Sequence, residues 1–343
     1  MPAITLQEVA DRAGVSLATA SRVLNGSART PRPDVSQRVR QAALELGYVA
    51  NAYAQALARS ATQLIGLIVH DIADPYFSSI ARGVQLAARQ HEHQVLLANT
   101  DRDPQVERDT VLAFAAHRTD AIILAGSRWS SVDDAILAED LARYRRNGGR
   151  VAVIGQRLPG ASAVLPENHD GAADLANALV ADGNRRFAIL AGPEALVTAS
   201  DRTAGFTSAL ARHDLAPVDT VFGEFTRDGG FDAARRLVRT LGPSPGTGRP
   251  LCVFAVNDVM AIGAIAAFRE AGLRVPQDVQ VAGFDDIPTL RDSAPALTTV
   301  RLPLVELGEQ AVALTLGDGD SAGEVSIRGE VVRRESTLLP RPA

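Results

Sequence analysis

The chain contains 343 residues, and its 46% hydrophobic and 22% charged content is ordinary for a globular protein of two or three domains. It contains no lysine, so all 35 basic residues are arginine, which excludes P-loop, Schiff-base and pyridoxal chemistry because each needs an amine. The single cysteine, Cys252, excludes an internal disulfide and is typical of a reducing compartment.

The formal net charge of −5 is divided unevenly along the chain. Residues 1–60 carry seven arginines and four acidic residues, which leaves +3 there and −8 on the remainder. A basic segment on an acidic body concentrates the attraction for nucleic-acid phosphates at one end. The sequence has no apolar run of about 18 residues and no signal-peptide pattern, so we expect a cytoplasmic protein with no membrane partner.

Residues Thr5 to Asn25 predict two helices joined by a tight turn at Gly14. Ser16 stands at the N-cap position of the second helix, which is predicted over Leu17–Asn25. Three residues of this helix share a face that can pack on the first helix, namely Ala20, Val23 and Leu24. Five others fall on the opposite face, which suits a DNA major groove: Leu17, Ala18, Ser21, Arg22 and Asn25. The alternative is an ordinary helical hairpin on a protein surface.

Two more helical segments follow. A third helix is predicted over Val35–Leu46, which Gly47 closes. The next segment, Asn51–Arg59, is rich in alanine but too short to be a stable helix in water by itself. It is either a plain helical linker or a hinge helix that becomes ordered when two copies meet on DNA.

From Leu64 onward, short apolar runs alternate with helical stretches, a pattern that predicts two doubly wound parallel sheets. The predicted strands are Leu64–Val69, Gln94–Ala98, Ala121–Ala125, Val151–Ile154, Phe187–Ala191, Thr220–Phe222, Leu251–Val256 and Val279–Gly283. The predicted helices cover 78–91, 105–117, 132–146, 170–183, 200–213, 229–241 and 258–272. Ligands of such sheets bind beyond the carboxyl ends of the strands, so we expect a cleft between two lobes.

The sequence contains no pattern that indicates an enzyme. His91 and His93 stand two residues apart without a cysteine partner, so a solvated pair is the simpler interpretation. The sequence shows no nucleophile elbow and no paired cysteine–histidine nucleophile. We therefore expect no catalytic residues, no metal and no cofactor.

The segment Thr5 to Asn25 reads T-L-x-x-V-A-x-x-A-G-V-S-x-x-T-x-S-R-V-L-N and resembles the N-terminal signature of the LacI/GalR family of bacterial transcription regulators. The resemblance implies a small all-α helix-turn-helix head at 1–50, joined by a hinge helix and linker at 51–61 to a two-lobed α/β body similar to periplasmic sugar-binding proteins. The N-terminal lobe would comprise 62–162 plus 301–319, and the C-terminal lobe 163–300 plus 320–339.

A head of this kind predicts roles on double-stranded DNA. Arg22 is predicted to bind guanine, and Leu17 and Ala18 to contact neighbouring base pairs. Five polar residues are predicted to bind phosphates and set the register: Thr5, Ser16, Thr19, Ser21 and Asn25. In the hinge, the resemblance implies that Leu57 wedges into the minor groove. The predicted minor-groove hinge residues are Ala54, Leu57 and Ala58.

Three further patterns match the family in the body: T-A-S-D-R-x-A-G-F, V-N-D-x-M-A-x-G and G-F-D-D. They place Arg202, Asn257 and Asp285 on effector-contacting positions. Other candidates, most of them at strand ends, are His70, Asp71, Asp74, Tyr76, Phe77, Ser127, Arg128, Gln156 and Phe225. Carboxylates, amides, guanidinium groups and aromatic faces are what a sugar or sugar derivative requires.

Several alternatives and departures accompany these predictions. Asp258 and Asp286 are expected to cap helices or loops rather than touch a ligand. Tyr76 and Phe77 could equally be ordinary core residues. The sequence departs from the family at Gly155, where an aspartate is usual, and in a turn before Asp34 that is one residue longer.

The sequence therefore predicts a repressor that binds a palindromic operator as a homodimer, with a sugar-like effector in the cleft controlling its affinity for DNA. The alternative keeps the head but has an unused or non-sugar cleft, and acts constitutively or as an activator. A pure solute-binding protein would lack residues 1–60 and would carry a signal peptide. A coiled-coil tetramer needs several heptads, and none follows the last predicted strand, so we expect a dimer.

Overall fold

The computed structural model describes residues 4–25, 31–49, 61–129, 133–241, 250–317 and 322–338. The predicted hinge residues Ala54, Leu57 and Ala58 lie outside the described residues. Contacts divide the chain into two units, a head made of Met1–Leu64 with Ala116–Asp120 and a body made of the remainder. Among the described residues, no helix is both long and apolar enough to cross a membrane.

The head contains three helices, α1 (Leu6–Ala13), α2 (Leu17–Asn25) and α3 (Pro33–Leu46). Helix α1 ends at Gly14, whose φ of 64° is the left-handed conformation that glycine adopts without steric cost. Helix α3 begins two residues earlier than predicted, because the fixed φ of proline suits the first helical position. A small apolar core joins the three helices: Val9, Ala10, Ala13, Ala20, Val39, Ala42 and Ala43.

The body alternates strands and helices. Its strands are β1 (Leu64–Val69), β2 (Gln94–Asn99), β3 (Ala121–Ala125), β4 (Arg150–Ile154), β5 (Ser162–Pro166), β6 (Phe187–Ala191), β7 (Pro217–Phe222), β8 (Leu251–Ala255), β9 (Val279–Ala282), β10 (Thr299–Arg301), β11 (Glu324–Ile327) and β12 (Glu330–Val332). Its helices are α4 (Pro75–Gln90), α5 (Pro104–Ala116), α6 (Asp133–Arg146), α7 (Asn168–Ala181), α8 (Val197–Ala211), α9 (Arg227–Leu241), α10 (Asp258–Glu270) and α11 (Leu304–Leu316), with a short 3₁₀ helix at Pro288–Asp292.

These strands form two principal sheets, one for each lobe. The first lobe has the order β11-β5-β4-β3-β1-β2, and the second has the order β7-β6-β8-β9. All the strand pairs whose register is recorded within these two sheets are parallel. Strands β10 and β12 form a separate antiparallel pair. The prediction of a two-lobed, doubly wound α/β body is confirmed.

Two predictions about the lobes are wrong. The boundary was placed near Ala161–Val164, but Ser162–Pro166 is a buried strand of the first sheet, paired with β4. Residues 320–339 are predicted to belong to the C-terminal lobe, with one strand at 325–335, but β11 pairs with β5 in the first sheet. Strand β11 ends at Ile327, and β12 (Glu330–Val332) pairs with β10 instead of the first sheet.

The chain consequently crosses between the lobes three times, after β5, after β10 and after β11. Helix α11 returns to the first lobe and packs on α4 through two glycines. A Cβ atom on Gly83 would lie 1.9 Å from the carbonyl oxygen of Val305, and one on Gly308 would lie 2.3 Å from that of Ile80. Only glycine permits this close approach of the two helix backbones.

Candidate functional site

The second helix of the head presents an exposed face. Ser16 caps it, since its hydroxyl oxygen accepts a hydrogen bond of 3.2 Å from the Thr19 amide. Leu17 is 45% exposed, and Ala18 and Arg22 are exposed as well. Arg22 has no hydrogen-bond partner among the described residues. The three residues predicted to read bases therefore face solvent on one helix.

All five predicted phosphate ligands make side-chain hydrogen bonds within the head. Asn25 is buried, and its side-chain amide donates a 3.1 Å hydrogen bond to the Ser21 hydroxyl, so its placement on the exposed face is wrong. Thr5 forms a capping box with Glu8, whose carboxylate accepts a 2.7 Å hydrogen bond from the Thr5 amide.

A cleft of about 450 Å³, including its open mouth, lies between the two lobes of the body. Eight of the twelve predicted effector contacts line it: Asp74, Tyr76, Phe77, Ser127, Arg202, Phe225, Asn257 and Asp285. Six further residues complete the lining: Arg102, Gly126, Gly155, Pro166, Asn168 and Thr198. The mixture of aromatic and polar groups in this lining suits a small molecule.

The floor of the cleft is organised by Arg202, which is 2% exposed. Its Nε donates to the Asn168 side-chain oxygen (2.9 Å), its Nη1 to the Val256 carbonyl (2.9 Å) and its Nη2 to the Asp285 carboxylate (2.8 Å). The guanidinium carbon lies 3.9 Å from the centroid of the Phe284 ring. All three of its nitrogens are thus occupied by protein groups before any ligand enters.

Two carboxyls near this floor have strongly raised pKa values. Burial raises the pKa of Asp285 to about 6, although the Arg202 charge opposes the shift. Burial, with the neighbouring Asp285 charge, raises the pKa of Asp258 to about 8. Asp258 accepts hydrogen bonds from the Ile287 amide (3.0 Å) and the Thr299 hydroxyl (2.7 Å), so it holds loops of the second lobe together. Asn257 caps α10 through the Met260 amide at 2.8 Å.

Two predicted contacts next to the first strand do not line the cleft. His70 is buried, and its ring nitrogens lie 2.9 Å from the Ser127 carbonyl oxygen and 3.3 Å from the Thr100 hydroxyl. Burial lowers the pKa of His70 to about 3, so its ring is neutral near pH 7. Asp71 is exposed and accepts from the Ala73 amide at 2.8 Å. Both therefore shape the loops around the cleft and do not line it, and their role as effector contacts stays a prediction.

Arg128 and Gln156 are also absent from the lining. The side-chain oxygen of Gln156 accepts a 3.1 Å hydrogen bond from the Arg128 amide. The Arg128 side chain is buried, with its Nη1 3.9 Å from a Glu107 carboxylate oxygen. Strand-end position alone did not indicate which way these side chains point. They fix the loop after β3, in which the Ser127 hydroxyl oxygen accepts a 3.0 Å hydrogen bond from the Thr198 amide of the other lobe.

Three lining residues that were not predicted have identifiable sequence signals. Arg102 follows β2, and the strand-end argument could have found it. Asn168 begins α7 and was missed because β5 was not recognised before it. Gly155 lines the cleft with a φ of 110°, a conformation that side chains rarely adopt. The family resemblance leads one to expect an aspartate at this position. Glycine stands there instead, in a backbone conformation that favours glycine.

Comparison with known proteins identifies both parts of the chain. The family model "Bacterial regulatory proteins, lacI family" matches residues 5–51, and "Periplasmic binding protein-like domain" matches residues 176–337. The HTH-type transcriptional regulator GalS of Salmonella typhimurium is 34% identical over 91% of this chain and 89% of its own length. The HTH-type transcriptional repressor CytR of Escherichia coli is 32% identical over 98% and 96%. The chain belongs to the LacI family.

Solved structures agree with this assignment. The lac repressor dimer bound to operator and the anti-inducer ONPF is 26% identical to this LacI-family chain, with a TM-score of 0.82 over 98% of this chain and 100% of that one. The complex of the transcriptional regulator CelR with cellobiose is 28% identical, with a TM-score of 0.69 over 97% and 99%. This LacI-family protein is a DNA-binding transcription regulator, and the prediction that it is not an enzyme is confirmed by relatives that are regulators.

Proposed function

We propose that this LacI-family chain is a cytoplasmic repressor that binds a palindromic operator as a homodimer and responds to a sugar-like effector in the cleft. The observation that carries the proposal is the pairing of an exposed recognition helix with a polar, aromatic-lined cleft in one chain. The lac repressor structure, a dimer on operator DNA, supports the DNA half of the proposal. The CelR complex with cellobiose supports the effector half.

On DNA, the exposed face of α2 enters the major groove. The guanidinium fork of Arg22, which has no partner among the described residues, can donate two hydrogen bonds to the O6 and N7 atoms of guanine. Leu17 and Ala18 contact apolar groups such as thymine methyls. Ser16, Thr19 and Ser21 remain candidates for phosphates, together with the backbone amides at the start of α2. Asn25 is withdrawn from this set because it is buried.

In the cleft, the fixed polar groups bind the hydroxyl groups of the effector, and the aromatic rings pack against its C–H faces. Arg202 orients Asp285 and Asn168, so their remaining acceptor positions are fixed before ligand binding. Tyr76 and Phe77 form an edge-to-face pair, with ring centroids 5.0 Å apart, on the opposite wall. A bound effector changes the closure of the lobes, and this shift in population weakens the binding of the operator.

The DNA half is tested by fluorescence anisotropy with the purified protein and DNA from upstream of its own gene, at two salt concentrations. Tight, steeply salt-dependent binding to one palindromic fragment, against weak binding to a random duplex, is the expected result. Arg22→Ala should cost about 1–3 kcal/mol and relax the preference at one base position. If it weakened binding to all sequences equally, Arg22 would be a phosphate ligand.

The effector half is tested on the same operator fragment with a panel of sugars and sugar derivatives. One of them should release the protein from DNA and raise the melting temperature of the protein by mass action. If a sugar tightens operator binding, the effector is a co-repressor and not an inducer. If no compound in the panel changes operator binding or the melting temperature, the result would favour a regulator with an unused cleft.

A further inference from the structure

Arg102 is a charged residue of the cleft lining to which the proposed function assigns no ligand contact. It lies in the turn after β2, where Asp101 and Arg102 have φ angles of 50° and 60°. A left-handed backbone conformation costs free energy in a non-glycine residue, and it persists only where the surrounding contacts impose it. Here the Asp101 amide donates to the His70 carbonyl (2.8 Å) and the Asp103 amide to the Thr100 carbonyl (2.8 Å). The turn is therefore held in a shape that brings Arg102 to the cleft.

The guanidinium of Arg102 lacks a direct polar partner among the described residues. Its buried Nε has no hydrogen-bond partner, and the side chain forms no hydrogen bond or ion pair with any described residue. The carboxylates that attract it, chiefly Asp74 and Asp71, act only through space. Burial raises the pKa of Asp74, which weakens it as a counter-ion. Arg202, the other arginine that lines the cleft, has a partner on each nitrogen.

The position of Arg102 also connects the two lobes. Its guanidinium carbon lies 5.7 Å from the centroid of the Phe225 ring, which follows β7 in the second lobe. Arg102 itself follows β2 in the first lobe. A ligand group bound to this guanidinium would therefore contact a first-lobe cation beside a second-lobe ring, and would favour the closed arrangement of the lobes.

We infer that the effector carries an acidic group, a carboxylate or a phosphate, and that Arg102 binds it. This inference rests on the proposed effector function of the cleft and specifies its ligand. A partly buried cation without a partner is costly, and an anion removes that cost more completely than a neutral hydroxyl. The planar guanidinium fork matches the two oxygens of a carboxylate or phosphate. The remaining cleft groups bind the hydroxyls of the same molecule.

The experiment uses the fluorescence of Trp129, the only tryptophan of the chain. Trp129 forms a backbone bridge with Leu196 of the second lobe, so its emission reports closure of the cleft. The full-length protein is titrated with D-glucose, D-glucuronate and D-glucose 6-phosphate, with the matching galactose series, and with inorganic phosphate alone. The uronates and the sugar phosphates separate a carboxylate site from a phosphate site.

We expect at least one acidic sugar to bind roughly tenfold more tightly than its neutral parent, which corresponds to about 1.4 kcal/mol. Arg102→Gln should abolish that difference between the acidic sugar and its neutral parent. Arg102→Lys should restore part of it, because the charge is kept but the fork is lost. Arg89→Gln, an exposed change of equal charge on α4, is the control and should behave like the unmodified protein.

If neutral sugars bind as tightly as their acidic derivatives, the inference that the effector carries an acidic group is overturned. The sugar-responsive function would remain intact. Acid binding that survives Arg102→Gln would overturn the role of Arg102. If no acid, including inorganic phosphate, gave a response that depends on Arg102, the inference would also fail. The operator titration decides separately whether the effector function itself holds, because it reads DNA release by any member of the panel.

Discussion

Replacement of Arg202 by methionine is expected to lower the free energy of unfolding of the body by about 3–5 kcal/mol near neutral pH. The change removes the cation that faces the buried Asp285 carboxylate, and it leaves the Asn168 oxygen and the Val256 carbonyl without their donors. A buried charge without its partner costs far more than the intact pair contributes. The measurement is urea unfolding, followed in the transition of the body.

The matched control is Arg328→Met, which removes an arginine of an exposed ion pair with Asp174. Solvent screens that pair, so we expect little change in stability. The double variant Arg202→Met/Asp285→Leu should recover part of the loss, because no unpaired charge then remains. If Arg202→Met unfolded at the same urea concentration as Arg328→Met, the floor of the cleft would not depend on the buried pair.

Asp258 is expected to make the protein less stable as the pH rises from about 4 to 8. Its folded-state pKa is raised to about 8 by burial and by the Asp285 and Asp286 charges, against an ordinary value near 4. The folded protein therefore keeps a proton that the unfolded chain releases in this window. Stability from this group is fully present below the unfolded pKa and is lost as the pH rises through the folded pKa.

The comparison with Asp258→Asn isolates this contribution, because the other titrating groups are common to both proteins. The difference in unfolding free energy between the unmodified protein and the variant should fall with pH, by at most about 1.4 kcal/mol per pH unit. Urea unfolding at several pH values between 5 and 8 gives the slope. Parallel pH profiles for the two proteins would mean that Asp258 is not protonated in the fold.

Periodicity and strand ends predicted much of this molecule from sequence. The alternation of apolar runs and helices defines the two sheets, since the inner strands β1, β3, β4, β6 and β8 are buried on both faces. Strand β5 escaped because its five residues, Ser162–Pro166, read like a linker between lobes. Strand β11 was assigned to the wrong lobe because its partner is β5, and pairing between distant segments leaves no local pattern.

The direction of individual side chains was the least predictable property of the site. His70 and Arg102 both stand beyond strand ends, yet the ring of His70 turns inward to the Ser127 carbonyl while Arg102 reaches the cleft. Only the left-handed turn at Arg102 explains its direction, and such a turn has no signature in a non-glycine residue. Asn25 likewise is a residue type that is typical of an exposed helix end, but it is buried.

The three crossings between the lobes have a consequence for synthesis on the ribosome. The outer strand of the first sheet, Glu324–Ile327, emerges only when nearly all of the chain has been translated. The head is made of the first helices and can fold as soon as they leave the exit tunnel, whereas neither lobe can be completed until the last strands arrive. A transcript cut short near its end would therefore yield a head that can hold DNA attached to a body that cannot close on an effector.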